Sequence, residues 1–211
     1  MPAPAARAVS CLVAAVTVTL AGCVTGQRPT LSEAPAMTGD AAADGVLHRL
    51  DRAAEATFTA DYAIVTTRGG VTTAASVAQR GAAARLATIG SVRYVATSDG
   101  SSTCVVDGEC EDGLDAARVS DLQVTPEFEA TSPAARLRTD VGRATGPTVA
   151  STATIAGQEA ACVTVPLVPI GTTTCALDSG PLARLVAADV MIELISYSGE
   201  IDESSFEQAT G

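Results

Sequence analysis

The stretch TFTADYAIVTT, from Thr57 to Thr67, sets Phe58, Ala60, Tyr62 and Ile64 against Thr59, Asp61, Ala63 and Val65. Apolar residues at every second position, in a run rich in β-branched and aromatic side chains, mark a strand with one buried face. The same period continues downstream. Val71, Thr73, Ala75 and Val77 alternate after the turn Arg68-Gly69-Gly70, Arg85, Ala87 and Ile89 interleave with Leu86 and Thr88, and Val92, Tyr94 and Ala96 follow Gly90. A further turn at Asp99-Gly100 leads into Ser102 to Val106. Short strands between Gly-containing turns, at about ten-residue spacing, predict an antiparallel meander.

Upstream of this stretch, Val46, Leu47, Leu50, Ala53 and Ala54 recur at helical spacing, predicting a helix over Asp40 to Ala56 capped by Asp40 or Asp44. From Leu114 to Gly146 the period is helical again. Leu114, Val119 and Leu122 mark a short segment, and Ser132-Pro133 opens a second as cap and first helical residue, with Leu137 and Val141 on one face and Gly142 or Gly146, then Pro147, at its end. Strands resume at Thr148 to Ala156, turn at Gly157-Gln158, and return from Ala160 to Leu167. Runs at Thr172 to Leu177, Leu182 to Ala187 and Val190 to Tyr197 complete the set, and Phe206 is the residue expected to dock from an acidic tail, Ser198 to Gly211. The fold class is α+β: an antiparallel sheet with an N-terminal helix and a mid-chain helical insert.

The chain has 211 residues and a formal charge of −11, and all its basic residues are Arg. This acidity opposes nucleic-acid binding and electrostatic adhesion to anionic lipid. Without Lys there is no Schiff-base amine, Walker-A Lys or Ser-Lys dyad. The Arg, Ala, Gly, Val and Thr bias is that of a GC-rich, actinobacterial-type genome. Of six Cys, Cys11 and Cys23 lie near the start. Cys104, Cys110, Cys162 and Cys175 remain, an even number suited to two disulfides. Three pairings are open, and Cys104–Cys110 with Cys162–Cys175 is favoured because each pair flanks a strand connection. A zinc site is the rival, but the C-x5-C and C-x12-C spacings do not suit it.

Catalytic signatures are missing. There is no Gly-x-Ser-x-Gly, His-Glu-x-x-His or Cys-x-x-Cys pattern, and the one His, His48, falls beside Arg49 and Arg52 on the polar face of its helix. With no Trp and 3% aromatic residues, a sugar-stacking cleft is not expected. The densest acid cluster, Asp107 to Asp115 (DGECEDGLD), does not follow EF-hand grammar, because its Gly is misplaced and Arg118 stands where a bidentate Glu belongs. It reads as a solvated, disulfide-pinned loop. No enzyme activity, cofactor or metal is expected.

Near the start, Arg7 precedes an apolar run from Ala8 to Leu20 that closes on Leu20-Ala21-Gly22-Cys23. This resembles a bacterial lipoprotein signal, in which Leu-Ala-Gly-Cys is the lipobox. A plain signal peptide or an uncleaved span is the alternative, although a span needs about 20 apolar residues. The resemblance implies a signal over Met1–Gly22 and lipidation at Cys23; the Pro-, Gly-, Ala- and Thr-rich stretch that follows has no periodicity and reads as a flexible tether, Cys23–Asp44, before one domain over Gly45–Gly211. The resemblance places the protein at the cell membrane, lipid-anchored on the extracytoplasmic face.

The run TFTADYAIVTT after its helix, the later TTTCALDSGPLARLVAADVMIELISYS (Thr172 to Ser198) and IDESSFE (Ile201 to Glu207) resemble the LolA/LolB-like half-barrel lipoproteins of bacteria. That resemblance implies a curved antiparallel sheet, an incomplete barrel wrapped around helices, with an apolar cavity that carries an acylated envelope lipid. Phe58, Tyr62, Ile64, Val92, Tyr94, Ile192 and Leu194 are the candidate lining residues. A filled core, with function exerted through an unnamed protein partner, is the other reading.

Overall fold

The computed structural model describes residues 37–67, 69–105, 108–201 and 206. Cys23, the signal and most of the tether lie outside the described residues, as do Arg68, Val106, Asp107 and most of the acidic tail. The described chain forms α1 (Ala41–Arg52), a 3-10 turn (Ala53–Glu55), β1 (Thr57–Thr66), β2 (Thr72–Arg80), β3 (Ala84–Ile89), β4 (Val92–Thr97), β5 (Gly100–Val105) and β6 (Cys110–Asp112). A second 3-10 segment (Ala116–Leu122) and α2 (Thr131–Val141) lead to β7 (Val149–Ile155), β8 (Gln158–Val165), β9 (Thr172–Leu177), β10 (Leu182–Val186) and β11 (Val190–Ser198).

All eleven strands belong to one open antiparallel sheet, ordered β6-β5-β4-β3-β2-β1-β11-β10-β9-β8-β7. Two meanders, β1 to β6 and β7 to β11, are therefore joined along the β1–β11 ladder, whose register runs from Thr59 opposite Ser198 to Thr66 opposite Val190. The sheet is not closed into a barrel; β6 and β7 are its edges.

Alternation on β1 has the consequence expected of it: Phe58, Ala60, Tyr62 and Ile64 are buried, and the residues between them are not. The core joins this face of the sheet to Val46, Leu47 and Leu50 of α1, Phe128, and Leu137 of α2. Asp40 caps α1 by accepting the Ala43 amide at 3.0 Å. Asp44 instead accepts the Thr38 amide and hydroxyl at 2.8 and 2.7 Å, so residues of the stretch assigned to the tether are already built into the start of α1. Arg138 of α2 clamps Asp51 of α1 at 2.8 and 2.7 Å.

Several local expectations need correction. Ala54 and Leu114 are exposed, because the turn after α1 tightens to 3-10 and the helical insert starts only at Ala116. Ser132 does not cap α2, which begins at Thr131 after Ala130; its hydroxyl instead meets that of Thr125 at 2.5 Å. The β7–β8 turn is Ala156-Gly157, both at positive φ (50° and 74°), the geometry of a two-residue hairpin turn. Part of the acid cluster pairs as β6, with Ser102 opposite Asp112.

Gly180, at φ 123°, turns β9 into β10 against the end of α1, where an added Cβ would lie 2.8 Å from both the Cα and the N of Ala53. Left-handed geometry and backbone contact both forbid a side chain there. Gly180→Ala is expected to lower unfolding stability by about 2 kcal/mol or more, read as a reduced urea midpoint at unchanged slope.

Candidate functional site

The segment Gln123 to Ala130, hereafter the connector, lies between the second 3-10 segment and α2 and has no regular secondary structure. Gln123 starts it in the left-handed region, φ 59°. Phe128 is fully buried and meets Tyr62 of β1 edge-on, with ring centroids 5.1 Å apart. Such a pair contributes about 0.5–1.5 kcal/mol beyond its buried area.

The neighbouring Glu129 is only 2% exposed. Its two oxygens accept Arg85 Nε and Nη2 at 2.6 Å each, and Arg85 also donates to the Pro126 carbonyl. The Glu129 carbonyl accepts the Leu182 amide at 2.7 Å. Burial works against the Arg85 charge, but the Glu129 carboxylate outweighs it and holds the guanidinium above its ordinary range. The Tyr62 hydroxyl is buried and has no hydrogen-bond partner. Burial first, and then the charge of Glu129, pushes its pKa well up.

At the far end of this region Arg136 holds Asp189, in the β10–β11 turn, at 2.5 and 3.1 Å. Partial burial opposes the Asp189 charge, but the bonds from Arg136 prevail and keep the carboxyl below its usual range.

Space remains on both sides of the connector. A slot of about 140 Å³ lies between it and β10–β11, lined by apolar Val124, Phe128, Pro133, Leu185, Val190 and Ile192 and by polar Gln123, Thr125, Ser132 and Arg136. On the other side a cavity of about 300 Å³ is bordered by Gln79, Arg85, Ala96, Glu127 and Glu129. The connector is thus a roof held by the Glu129 pairing and by the buried side chains of Val124 and Phe128, with unfilled space beside it.

The structure gathers Phe58, Tyr62, Ile64, Val92, Tyr94, Ile192 and Leu194 on one face of the sheet, all buried in a single core cluster. Of these, Ile192 borders the slot. Tyr62 borders a separate groove of about 490 Å³ with Asp61, Ala63 and Ser76, while Tyr94 ties the sheet to the insert by donating to the Asp115 carbonyl at 3.1 Å. Phe128, Glu129 and Arg85 were not legible as site residues. One signal was present: Phe128, one of only three Phe, stands between two Glu in an otherwise polar run.

The structure bonds Cys104 to Cys110 and Cys162 to Cys175. The first bond lies within the acid hairpin, where Arg118 pairs with Glu111 and Asp115 at 3.1 and 3.3 Å. His48 is exposed. Among the described residues no cluster of three or more His, Cys, Asp or Glu side chains could hold a metal, and no helix is long and apolar enough to cross a membrane. Phe206 packs on Ala78, Leu86 and Val95, beneath the Arg80 guanidinium at 5.2 Å.

The sequence matches no protein-family model and no curated protein. The fold is similar to that of MucB, with a TM-score of 0.50 at 15% identity over 79% of this chain and 62% of MucB. The MucA/MucB complex of Pseudomonas aeruginosa gives 0.49 at 13% identity over 78% of this chain and 59% of that one. A DUF1329 family protein from Desulfovibrio piger gives 0.33 at 8% over 77% and 92%. The chain thus spans less than two thirds of MucB, and at this identity the likeness is one of fold.

Two predictions test these ion pairs. Removing Glu129 alone strands a buried guanidinium, so Glu129→Ala is expected to cost about 3 kcal/mol, whereas Arg85→Ala combined with Glu129→Ala should cost clearly less than the sum of the single changes in a double-mutant cycle. Asp189, depressed in the folded protein, contributes stability above its unfolded value near pH 4 and loses it as pH falls through its folded value. The urea midpoint should therefore drop in acid, and Asp189→Asn should show a smaller drop.

Proposed function

We propose that this is an extracytoplasmic, membrane-anchored half-barrel protein that binds an apolar or acylated ligand between the connector and the sheet, without catalysis. The observation that carries the reading is the apolar slot against β10–β11, separated only by the connector from a second cavity. An enclosed apolar space of about 150 Å³ admits a benzene-sized molecule, so this half-open, mostly apolar slot takes no more than the end of a chain, with Arg136 and Ser132 beside it for a polar group. A longer chain enters by displacing Phe128. The buried, unpartnered Tyr62 hydroxyl would then gain access to a polar ligand group or water. Two disulfides fit an oxidising compartment, and the Leu20 to Cys23 lipobox supports the anchor.

A second reading, action through a protein partner, is favoured by β7. This edge strand has no Pro, Gly, charge or bulge, whereas the opposite edge, β6, is short, acidic and disulfide-pinned. An uncharged open edge invites strand addition. A groove of about 450 Å³ runs beside it, between α1 and β7, lined by Ala41, Ala42, Gly45, Ala150 and Thr152.

Native mass spectrometry of Thr25 to Gly211, exposed to envelope lipid extract, distinguishes these readings. A lipid-sized adduct is expected, at least about tenfold weaker in Ile192→Phe, which fills the slot. A bare mass in both proteins would overturn the ligand reading. A cross-linked partner lost in Thr152→Pro but kept in Ile192→Phe would support the second.

A further inference from the structure

Seven large apolar side chains are exposed among the described residues: Met37, Val71, Leu114, Val149, Val168, Ile170 and Ile195. Strand polarity gathers five of them at one end of the sheet. Val71 lies in the β1–β2 connection, Val149 opens β7, and Val168 and Ile170 form the β8–β9 connection. Met37 lies just before α1 at the same end, because the α1 cap Asp40 accepts the Thr148 hydroxyl at 2.7 and 2.8 Å. From Thr148 the contacts lead straight to the β8–β9 connection, since the Thr145 amide donates to the Pro166 carbonyl at 2.9 Å.

The hairpin turns at the opposite end carry no large apolar group; the one exposed large apolar residue there is Leu114, just after β6. These turns are Gly81-Ala82-Ala83, Ser98-Asp99, Ala156-Gly157 and Asp178-Ser179-Gly180. Val168 is 80% exposed and Ile170 58%, at the tip of a connection otherwise made of Pro, Leu and Gly. Isolated exposed apolar residues need no explanation, but a one-sided cluster does.

We propose that this end, with Val168 and Ile170 at its tip, rests in the apolar margin of the lipid bilayer to which Cys23 is attached. The proposal depends on the anchor reading of Cys23 and is separate from the ligand slot. Cys23 precedes Met37 by 14 residues, a stretch that reaches no more than about 50 Å even when fully extended. The tether thus keeps the domain close to the membrane and joins it at Met37, the same end as the exposed apolar residues. A chain of charge −11 gains nothing from anionic headgroups, so the contact is one of apolar burial and should hold in zwitterionic lipid at high salt. Seating this end in lipid turns the β9–β10 end and its small, polar turns away from the bilayer.

Because the chain has no Trp, Val168→Trp provides a unique reporter, and Ala83→Trp, exposed at the opposite end, is its control. Both full-length proteins are produced with their own leader, recovered from membranes and reconstituted into phosphatidylcholine vesicles, with and without brominated acyl chains. Vesicle flotation reports the anchor, and bromine quenching reports the tip. The expected result is flotation of both proteins, with Val168→Trp emission quenched at least about twofold at high salt and Ala83→Trp unchanged. Flotation with equal, negligible quenching at both positions would overturn the membrane contact and leave the anchor standing. Failure to float would remove the anchor reading and this proposal with it.

Discussion

The structure depends on the ladder between β1 and β11. Each meander is made of neighbours in sequence and can form locally, but only this ladder joins them into one sheet. Once it forms, β6 and β7 become opposite edges, and the chain between them must travel from one edge to the other. That journey carries the second 3-10 segment, the connector and α2 across the buried face. The cover over the sheet is thus a consequence of strand order, and the pairing that sets the order also creates the space beneath the cover.

How the cover is held differs from how the sheet is held. The sheet has continuous backbone ladders, and α1 is fixed by an apolar face, a capping Asp and the Arg138–Asp51 clamp. The connector relies on the buried Arg85–Glu129 pair, the Glu129 carbonyl's bond from the Leu182 amide and one aromatic contact, while Arg136–Asp189 fixes the neighbouring helix α2. A buried ion pair is weak as net stabilisation but costly to break by halves. It therefore favours one closed arrangement while allowing an opening in which both partners regain water together. Segments that open locally are generally those with few regular backbone bonds.

Much of the scaffold was legible in the sequence because burial on one face imposes a period. Phe58 to Ile64 read as a strand for that reason, and Val46, Leu47 and Leu50 read as one side of a helix. The seven candidate lining residues share one buried face because alternation identifies a face. What fills the space above a face is a different question, and no period records it. Phe128 and Glu129 sit in a non-repeating run, and Glu129 meets an Arg 44 residues earlier in the chain. A Glu that reads as surface becomes buried only through strand order. The acid hairpin was misread in part for a related reason: Cys104–Cys110 draws the acidic residues beside it into the sheet edge, against their composition.

Native-state hydrogen exchange shows whether the connector is a displaceable roof over a fixed sheet. The non-proline amides from Val124 to Ala130 are expected to exchange through a local opening, far faster than those of β1 and β11, and envelope lipid is expected to change their protection while leaving the central strands unaffected. Exchange of the connector only with global unfolding, at the rate of β1 and β11 and indifferent to lipid, would instead make the roof a permanent part of the core.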